Sequence, residues 1–149
     1  MTGEMGAFFV YSPYVAKEET RVVVVDKGSN RAIAPGYYSF LGPYCLENNC
    51  DCRNVMINVY ECFRGHLATI NHALDPGGFK DVGLPRAFLE PFNKQTKEVE
   101  ALLKLFKEQL RDNAFAHQLE RHYKMVKEKV ARGKPRASFL RLLLTILGM

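Results

Sequence analysis

The chain lacks a long hydrophobic run, a signal-peptide pattern and any low-complexity tract. The N-terminus has no basic segment, and its apolar run over 7–11 is short and soon followed by Pro13. The apolar stretch near the C-terminus has about ten residues, whereas a membrane span needs about twenty. These absences predict a cytoplasmic globular protein without a transmembrane segment.

Motifs of several enzyme classes are also missing. The sequence has no Gly-Lys-Ser or Gly-Lys-Thr phosphate loop, no G-x-G-x-x-G turn and no H-E-x-x-H pair. A cysteine nucleophile with a histidine base is compatible with the composition, but three neighbouring thiolates are better explained by metal coordination. The sequence defines neither a reaction nor a substrate.

Length and charge fit one ordinary domain over 1–149. A chain of 149 residues, 47% hydrophobic, can bury a core without disulfides. Residues 94–149 carry 13 Lys and Arg against 6 Asp and Glu, so the positive charge lies in the C-terminal part. Nucleic-acid binding is therefore an alternative, but the helix pairs Glu98 with Lys94 and Glu120 with Lys124 favour a mixed-charge surface.

The order of elements predicts an α+β fold, with a small N-terminal antiparallel sheet packed against C-terminal helices. A β-rich part over 7–74 contains runs of β-branched and aromatic residues between turn residues, at 8–11, 21–25, 36–40, 55–60 and 66–71. Residues 75–93 are rich in Pro and Gly and predict an ordered loop, with one helical turn at 87–90.

Two amphipathic stripes predict a helical hairpin over 94–132, with Asn113 as the cap between its helices. An apolar helix is predicted over 136–149. It is hydrophobic on nearly all sides and so must be buried. It completes the core of this chain, or it is the contact with a protein partner or a second copy in a homo-oligomer. Attachment to a membrane surface through its basic residues is a third alternative.

The three cysteines Cys45, Cys50 and Cys52 lie within eight residues and predict a zinc site. In a reducing compartment such crowding is typical of metal binding rather than disulfides. Cys62 and His66 follow the strand after the cluster, and His72 lies partway along the return strand. We therefore expect all three to be too far away to serve as the fourth ligand.

His122 is the predicted fourth ligand. A helical wheel places it with Phe115 and Val126 on the inward face, and His117 on the far side. An inward histidine needs partners for its ring nitrogens, which a metal supplies. A closed site of Cys45, Cys50, Cys52 and His122, with Arg53 offsetting thiolate charge, would hold a structural Zn²⁺. Without His122 the zinc would be open, as in a hydrolase.

The segment 37–55, with its Tyr-Cys and Cys-Asp-Cys-Arg motifs, resembles a poorly characterised group of bacterial zinc-binding proteins. In that group a helix with Arg-His-Tyr follows, matched here by 121–123, and often a SEC-C motif, a small zinc hook. This chain has no paired cysteines after Pro135, so the hook is absent. The resemblance implies that Cys45, Cys50, Cys52 and His122 belong to one zinc site.

Together these features predict a zinc-stabilised, non-catalytic binding or scaffold module that acts through protein contacts. A zinc-dependent hydrolase with an open coordination position is one alternative. A basic nucleic-acid-binding module is another, because tyrosines of the predicted sheet could stack on bases. These tyrosines are Tyr11, Tyr14, Tyr37, Tyr38 and Tyr60.

Overall fold

An antiparallel sheet covered on one face by two helices forms the fold, which confirms the predicted α+β class. The computed structural model describes residues 5–7, 19–28, 32–45, 53–131 and 148. The predicted strand at 8–11 and nearly all of the apolar helix at 136–149 lie outside these residues. No helix in the described ranges is both long and apolar enough to cross a membrane.

Seven strands and two α-helices are described. The strands are β1 (Met5–Ala7), β2 (Arg21–Val25), β3 (Gly36–Leu41), β4 (Pro43–Cys45), β5 (Asn54–Glu61), β6 (Gly65–Ala73) and β7 (Ala87–Leu89). The helices are α1 (Lys97–Gln109) and α2 (Asn113–Ala131), and a 3₁₀ turn covers Lys80–Val82. The strands predicted at 21–25, 36–40, 55–60 and 66–71 and the helical hairpin are confirmed.

Strands β3 and β4 lie end to end along the same edge of β5. Leu41 is opposite Asn58 and Tyr44 is opposite Val55, so both strands keep one register. Gly42 separates them where the chain comes close to β5, since a Cβ there would lie 2.9 Å from the Val55 Cγ2. On the outer side of this line, β2 pairs with β3 and β1 pairs with β4.

Buried and half-buried side chains alternate along the strands, and the buried ones face the helices. In β5 the side chains of Val55, Ile57 and Val59 are fully buried, while the residues between them are half-buried. They pack against the apolar stripes of α1 and α2. The core residues of these stripes are Val99, Leu102, Phe106, Phe115, Leu119, Tyr123, Val126 and Val130.

Side chains at the helix starts bind the first free amides. The Thr96 hydroxyl accepts the Val99 N–H at 3.1 Å, and the Asp112 Oδ1 accepts the Ala114 N–H at 3.0 Å. The prediction that Asn113 is the cap is therefore wrong by one residue. Asn113 is the first helical residue, and the carboxylate before it has the geometry to reach the second amide.

The helical turn predicted at 87–90 is a strand instead. Strand β7 pairs antiparallel with β6, with Ile70 opposite Leu89 and His72 opposite Ala87. The Glu90 N–H extends this pairing by donating to the Thr69 carbonyl at 3.0 Å. The free edge of β6 supplies backbone partners that a local helical turn cannot, so tertiary pairing overrides the local pattern.

Candidate functional site

The cysteine segment connects the ends of β4 and β5, beside α2. Cys45 is the last residue of β4, and Asn54 is the first of β5. Because Tyr44 is opposite Val55, this connection over 46–53 begins and ends at neighbouring positions of the sheet. Cys45 is buried and forms no disulfide within the described residues. Cys50 and Cys52 lie outside them.

Both flanks of the cysteine segment rest on Tyr123 of α2. The ring centroids of Tyr44 and Tyr123 are 6.4 Å apart. Arg53 lies at the other end of the segment, and its guanidinium carbon is 5.2 Å from the Tyr123 ring centroid. One aromatic side chain of α2 therefore contacts the residue before Cys45 and the residue after Cys52.

Arg53 is fixed by two carboxylates. It donates to both oxygens of Glu120 at 2.5 and 2.6 Å, and its Nε donates to Asp75 at 3.1 Å. The hydrogen bond that Arg53 donates to Glu120 is the main cause of the raised pKa of Arg53. Arg53 was predicted to offset thiolate charge, but its described partners are carboxylates. It anchors the end of the cysteine segment to α2.

His122 points inward, as predicted, with 7% of its surface exposed. Burial, and then the Arg121 charge, lowers its pKa from 6.5 to about 4, so the ring is neutral at pH 7. Its Nε2 lies 3.7 Å from the Glu19 Oε1, and Glu19 also forms an ion pair with Arg121. A neutral imidazole is the form that binds zinc.

The described residues do not bring Cys45 and His122 together as a ligand pair. The Tyr44 side chain faces α2, so alternation in β4 directs Cys45 to the other face of the sheet. No group of three or more His, Cys, Asp or Glu in the described ranges could hold a metal. With Cys50 and Cys52 outside these ranges, the four-residue site stays a prediction.

Cys62 and His66, which the sequence excludes as zinc ligands, lie near the far end of β5. Cys62 is exposed and follows β5 at its far end, where its N–H donates to the Tyr37 carbonyl. The eight residues of β5 separate it from the cysteine segment by about 26 Å. His66, opposite Tyr60, is exposed near the same end. The prediction that both lie far from the segment is confirmed.

The prediction that His72 also lies far from the segment is wrong. Strand β6 extends to Ala73, two residues beyond the predicted return strand, and places His72 opposite Val55. His72 is 2% exposed, and its ring meets the edge of Phe106 at 5.3 Å between centroids. It lies at the same end of the sheet as Tyr44, on the face that packs against the helices.

The ion-pair partners predicted for Glu98 and Glu120 from the sequence are wrong. Glu98 accepts from both terminal nitrogens of Arg64, at 2.8 and 3.0 Å, and Glu120 accepts from Arg53. Both arginines belong to loops at the ends of β5. The expected pairs with Lys94 and Lys124 follow from helical spacing alone, which carries no information about the facing sheet.

A small cavity of about 80 Å³ adjoins His122. Its polar lining includes Glu19, Arg21 and Gln118, while Phe40 and Phe115 supply apolar surface. Arg21 is held by Asp112 at 2.9 Å and by Gln109. Ligand pockets of enzymes are commonly about 300–1,000 Å³, so this cavity holds only a few water molecules.

No protein family, curated protein or solved structure matches this chain. The fold and site geometry therefore carry the functional argument. The resemblance to the bacterial zinc-binding group remains a prediction from the motifs in 37–55 and 121–123.

Proposed function

We propose that this protein is a zinc-stabilised, non-catalytic binding or scaffold module. In this proposal Cys45, Cys50, Cys52 and His122 bind one Zn²⁺, which ties the end of the β4–β5 hairpin to α2. The ion supplies a cross-link between elements distant in sequence, which is how structural zinc contributes folding energy. The surface held in this way is then available for a protein partner.

The observation that carries the proposal is the contact of both flanks of the cysteine segment with Tyr123. Tyr123 directly follows His122 in α2, so the segment with Cys50 and Cys52 starts and ends beside the predicted histidine ligand. A site that includes both Cys45 and His122 has to lie beyond the end of β4, because within the strand the two residues are on opposite sides of the sheet.

Two features support a structural rather than a catalytic role. The cavity that His122 lines has only about 80 Å³, and the wider adjoining cleft of about 560 Å³, which shares Glu19 and Arg21 with it, does not include His122. Arg53, the residue after Cys52, is committed to Glu120 and Asp75 instead of being available to a substrate anion. A closed tetrahedral site leaves no coordination position for water.

Cobalt substitution tests whether the site is closed. Co²⁺ in a thiolate-rich tetrahedral site absorbs visible light, and the absorption changes when an added anion such as azide enters the coordination sphere. We expect the wild-type spectrum to be unchanged by azide. His122→Ala should still bind Co²⁺ more weakly, with a spectrum that azide alters, because the lost imidazole opens one position.

Cys62→Ser is the matched control, since Cys62 is an exposed cysteine at the far end of β5. Its cobalt spectrum should equal that of the wild type. A wild-type protein without thiolate-to-cobalt absorption would refute the zinc site. A wild-type spectrum that azide changes would instead favour the hydrolase with an open metal.

The nucleic-acid alternative gains little from the sheet. Tyr38 is fully buried and bonded through its hydroxyl to the Ala34 carbonyl, so it is unavailable for stacking. Tyr37 is exposed, whereas Tyr11 and Tyr14 lie outside the described residues. Tyr60 is half-buried and its ring meets that of His66, so Tyr37 is the one exposed ring among the described members of this set, whereas stacking platforms present several.

A further inference from the structure

A cavity of about 190 Å³ lies between the end of β6, the residue before β7 and the two helices. Among its described lining residues none belongs to the cavity beside His122. Water occupies about 30 Å³ per molecule in the liquid, so this space accommodates an ion of several atoms. We call it the His72 cavity; its polar lining includes His72, Arg86, His117 and Glu120, and Leu74 and Leu110 supply apolar surface.

His72 is the buried polar side chain of this cavity. It is 2% exposed, and its Nδ1 has no hydrogen-bond partner among the described residues. A neutral imidazole carries one N–H donor and one acceptor nitrogen, and burying a polar atom without a partner is costly. The described protein therefore leaves the hydrogen-bonding capacity of this ring unused at the wall of a cavity.

Arg86 brings a positive charge to the same cavity. Its Nε donates to the Ala73 carbonyl at 2.8 Å and its Nη2 donates to the Leu74 carbonyl, so the side chain is fixed along the backbone that follows His72. Arg53 and Arg64 each pair with a carboxylate, whereas Arg86 forms no such ion pair within the described residues. Its Nη1 is left to donate to a ligand, and a guanidinium held in place is well suited to an oxyanion.

The electrostatics of the cavity favour an anion over a cation. Both oxygens of Glu120 accept from Arg53, which offsets the negative charge of this carboxylate. Arg86 also acts on the pKa of His72 more strongly than Glu120 does, and with the opposite sign. No group of three or more His, Cys, Asp or Glu in the part of the chain that the structure describes could hold a metal ion.

We propose that the His72 cavity binds a small oxyanion, a carboxylate or an inorganic phosphate, between the Arg86 guanidinium and the His72 ring. Arg86 donates to one oxygen through Nη1, and the N–H of His72 donates to another. Both ligand classes offer two or more oxygens that share a negative charge, which is what these two donors require. The site uses none of the predicted zinc ligands, so it is independent of the function proposed above.

NMR spectra of the histidine rings in the full chain test this site. The protein has four histidines, so few ring signals occur, and His72→Leu identifies the signal of His72. Sodium phosphate and sodium acetate are titrated separately at pH 7, with sodium chloride of equal ionic strength as the reference. We expect phosphate or acetate to shift the His72 signal until it saturates, with a dissociation constant of roughly 1–10 mM. The signal of His66, near the far end of β5, should stay unchanged.

Arg86→Gln removes the positive charge and should weaken binding of the anion about tenfold or more. Lys104→Gln is the matched control, because it removes one positive charge at an exposed position of α1 outside the described lining of the cavity. Its affinity should equal that of the wild type. Circular dichroism melts establish that both variants are folded, and the wild-type titration does not depend on either of them.

Three results would overturn the proposal. The first is a His72 signal that neither anion shifts beyond the effect of chloride at concentrations up to about 100 mM. The second is a folded Arg86→Gln variant that binds as tightly as the wild type. The third is a cation site: in the double variant Cys50→Ser and Cys52→Ser, which lacks the predicted zinc ligands, added Zn²⁺ would then shift the signals of His72 and His117 together.

Discussion

Replacing Phe106 by alanine should lower the free energy of unfolding by about 3–5 kcal/mol. Phe106 is fully buried in α1 and contacts the rings of Phe40, Phe115 and His72, with centroids 5.8, 6.1 and 5.3 Å away. The truncation removes the ring that joins α1, α2 and the sheet, and leaves a cavity that none of these elements can fill alone. Urea unfolding measures the change.

Phe92→Ala is the matched control, because Phe92 is 96% exposed and the same atoms are deleted. Its unfolding midpoint should stay close to that of the wild type. Equal losses in the two variants would contradict the assignment of Phe106 to the centre of the core, as would a Phe106→Ala variant that is destabilised by less than about 1 kcal/mol.

His72 should make the protein less stable as the pH falls. Burial, and then the charge of Arg86, lowers its pKa from 6.5 to about 4, against a smaller opposing effect of Glu120. Unfolding restores the ordinary pKa, so the unfolded chain binds more protons between these values. Stability contributed by neutral His72 is thus complete above about pH 6.5 and is lost as the pH falls toward 4.

From pH 7 to pH 5 this linkage amounts to roughly 2 kcal/mol. His72→Leu removes the titrating group. Between pH 7 and pH 5 the free energy of unfolding of this variant should therefore fall by roughly 2 kcal/mol less than that of the wild type. Urea unfolding at the two pH values measures both slopes. His117→Gln, at an exposed position on α2, is the matched histidine control.

Equal pH dependence in His72→Leu and the wild type would contradict a buried neutral His72. The Nδ1 atom of His72 is buried and has no hydrogen-bond partner among the described residues, so a protonated ring would leave a charge without compensation there. Arg86, whose guanidinium donates to the carbonyls of Ala73 and Leu74, adds repulsion to that charge.

The local patterns predicted the element types well where residues face a single core. Val55, Ile57 and Val59 alternate with half-buried neighbours, and Val99, Leu102 and Phe106 repeat with helical spacing, so burial and sequence periodicity agree. The α+β class and the inward orientation of His122 follow from such patterns. Neither depends on contacts between distant segments.

The errors concern contacts between elements. Strand β7 forms because β6 offers an unpaired edge, and His72 reaches the cysteine end of the sheet because β6 continues to Ala73. Arg53, which precedes β5, forms an ion pair with Glu120 of α2, and helical spacing alone cannot indicate this contact between layers. These features depend on strand length and layer packing, which the local sequence does not specify.

The zinc content of the purified full-length protein tests the central claim most directly. Elemental analysis should find one zinc per chain in the wild type and in Cys62→Ser, and should find it lost from the double variant Cys50→Ser and Cys52→Ser. Retention of the metal in the double variant, or a wild-type protein that binds no zinc when it is supplied, would contradict a cysteine-held ion at the end of the hairpin.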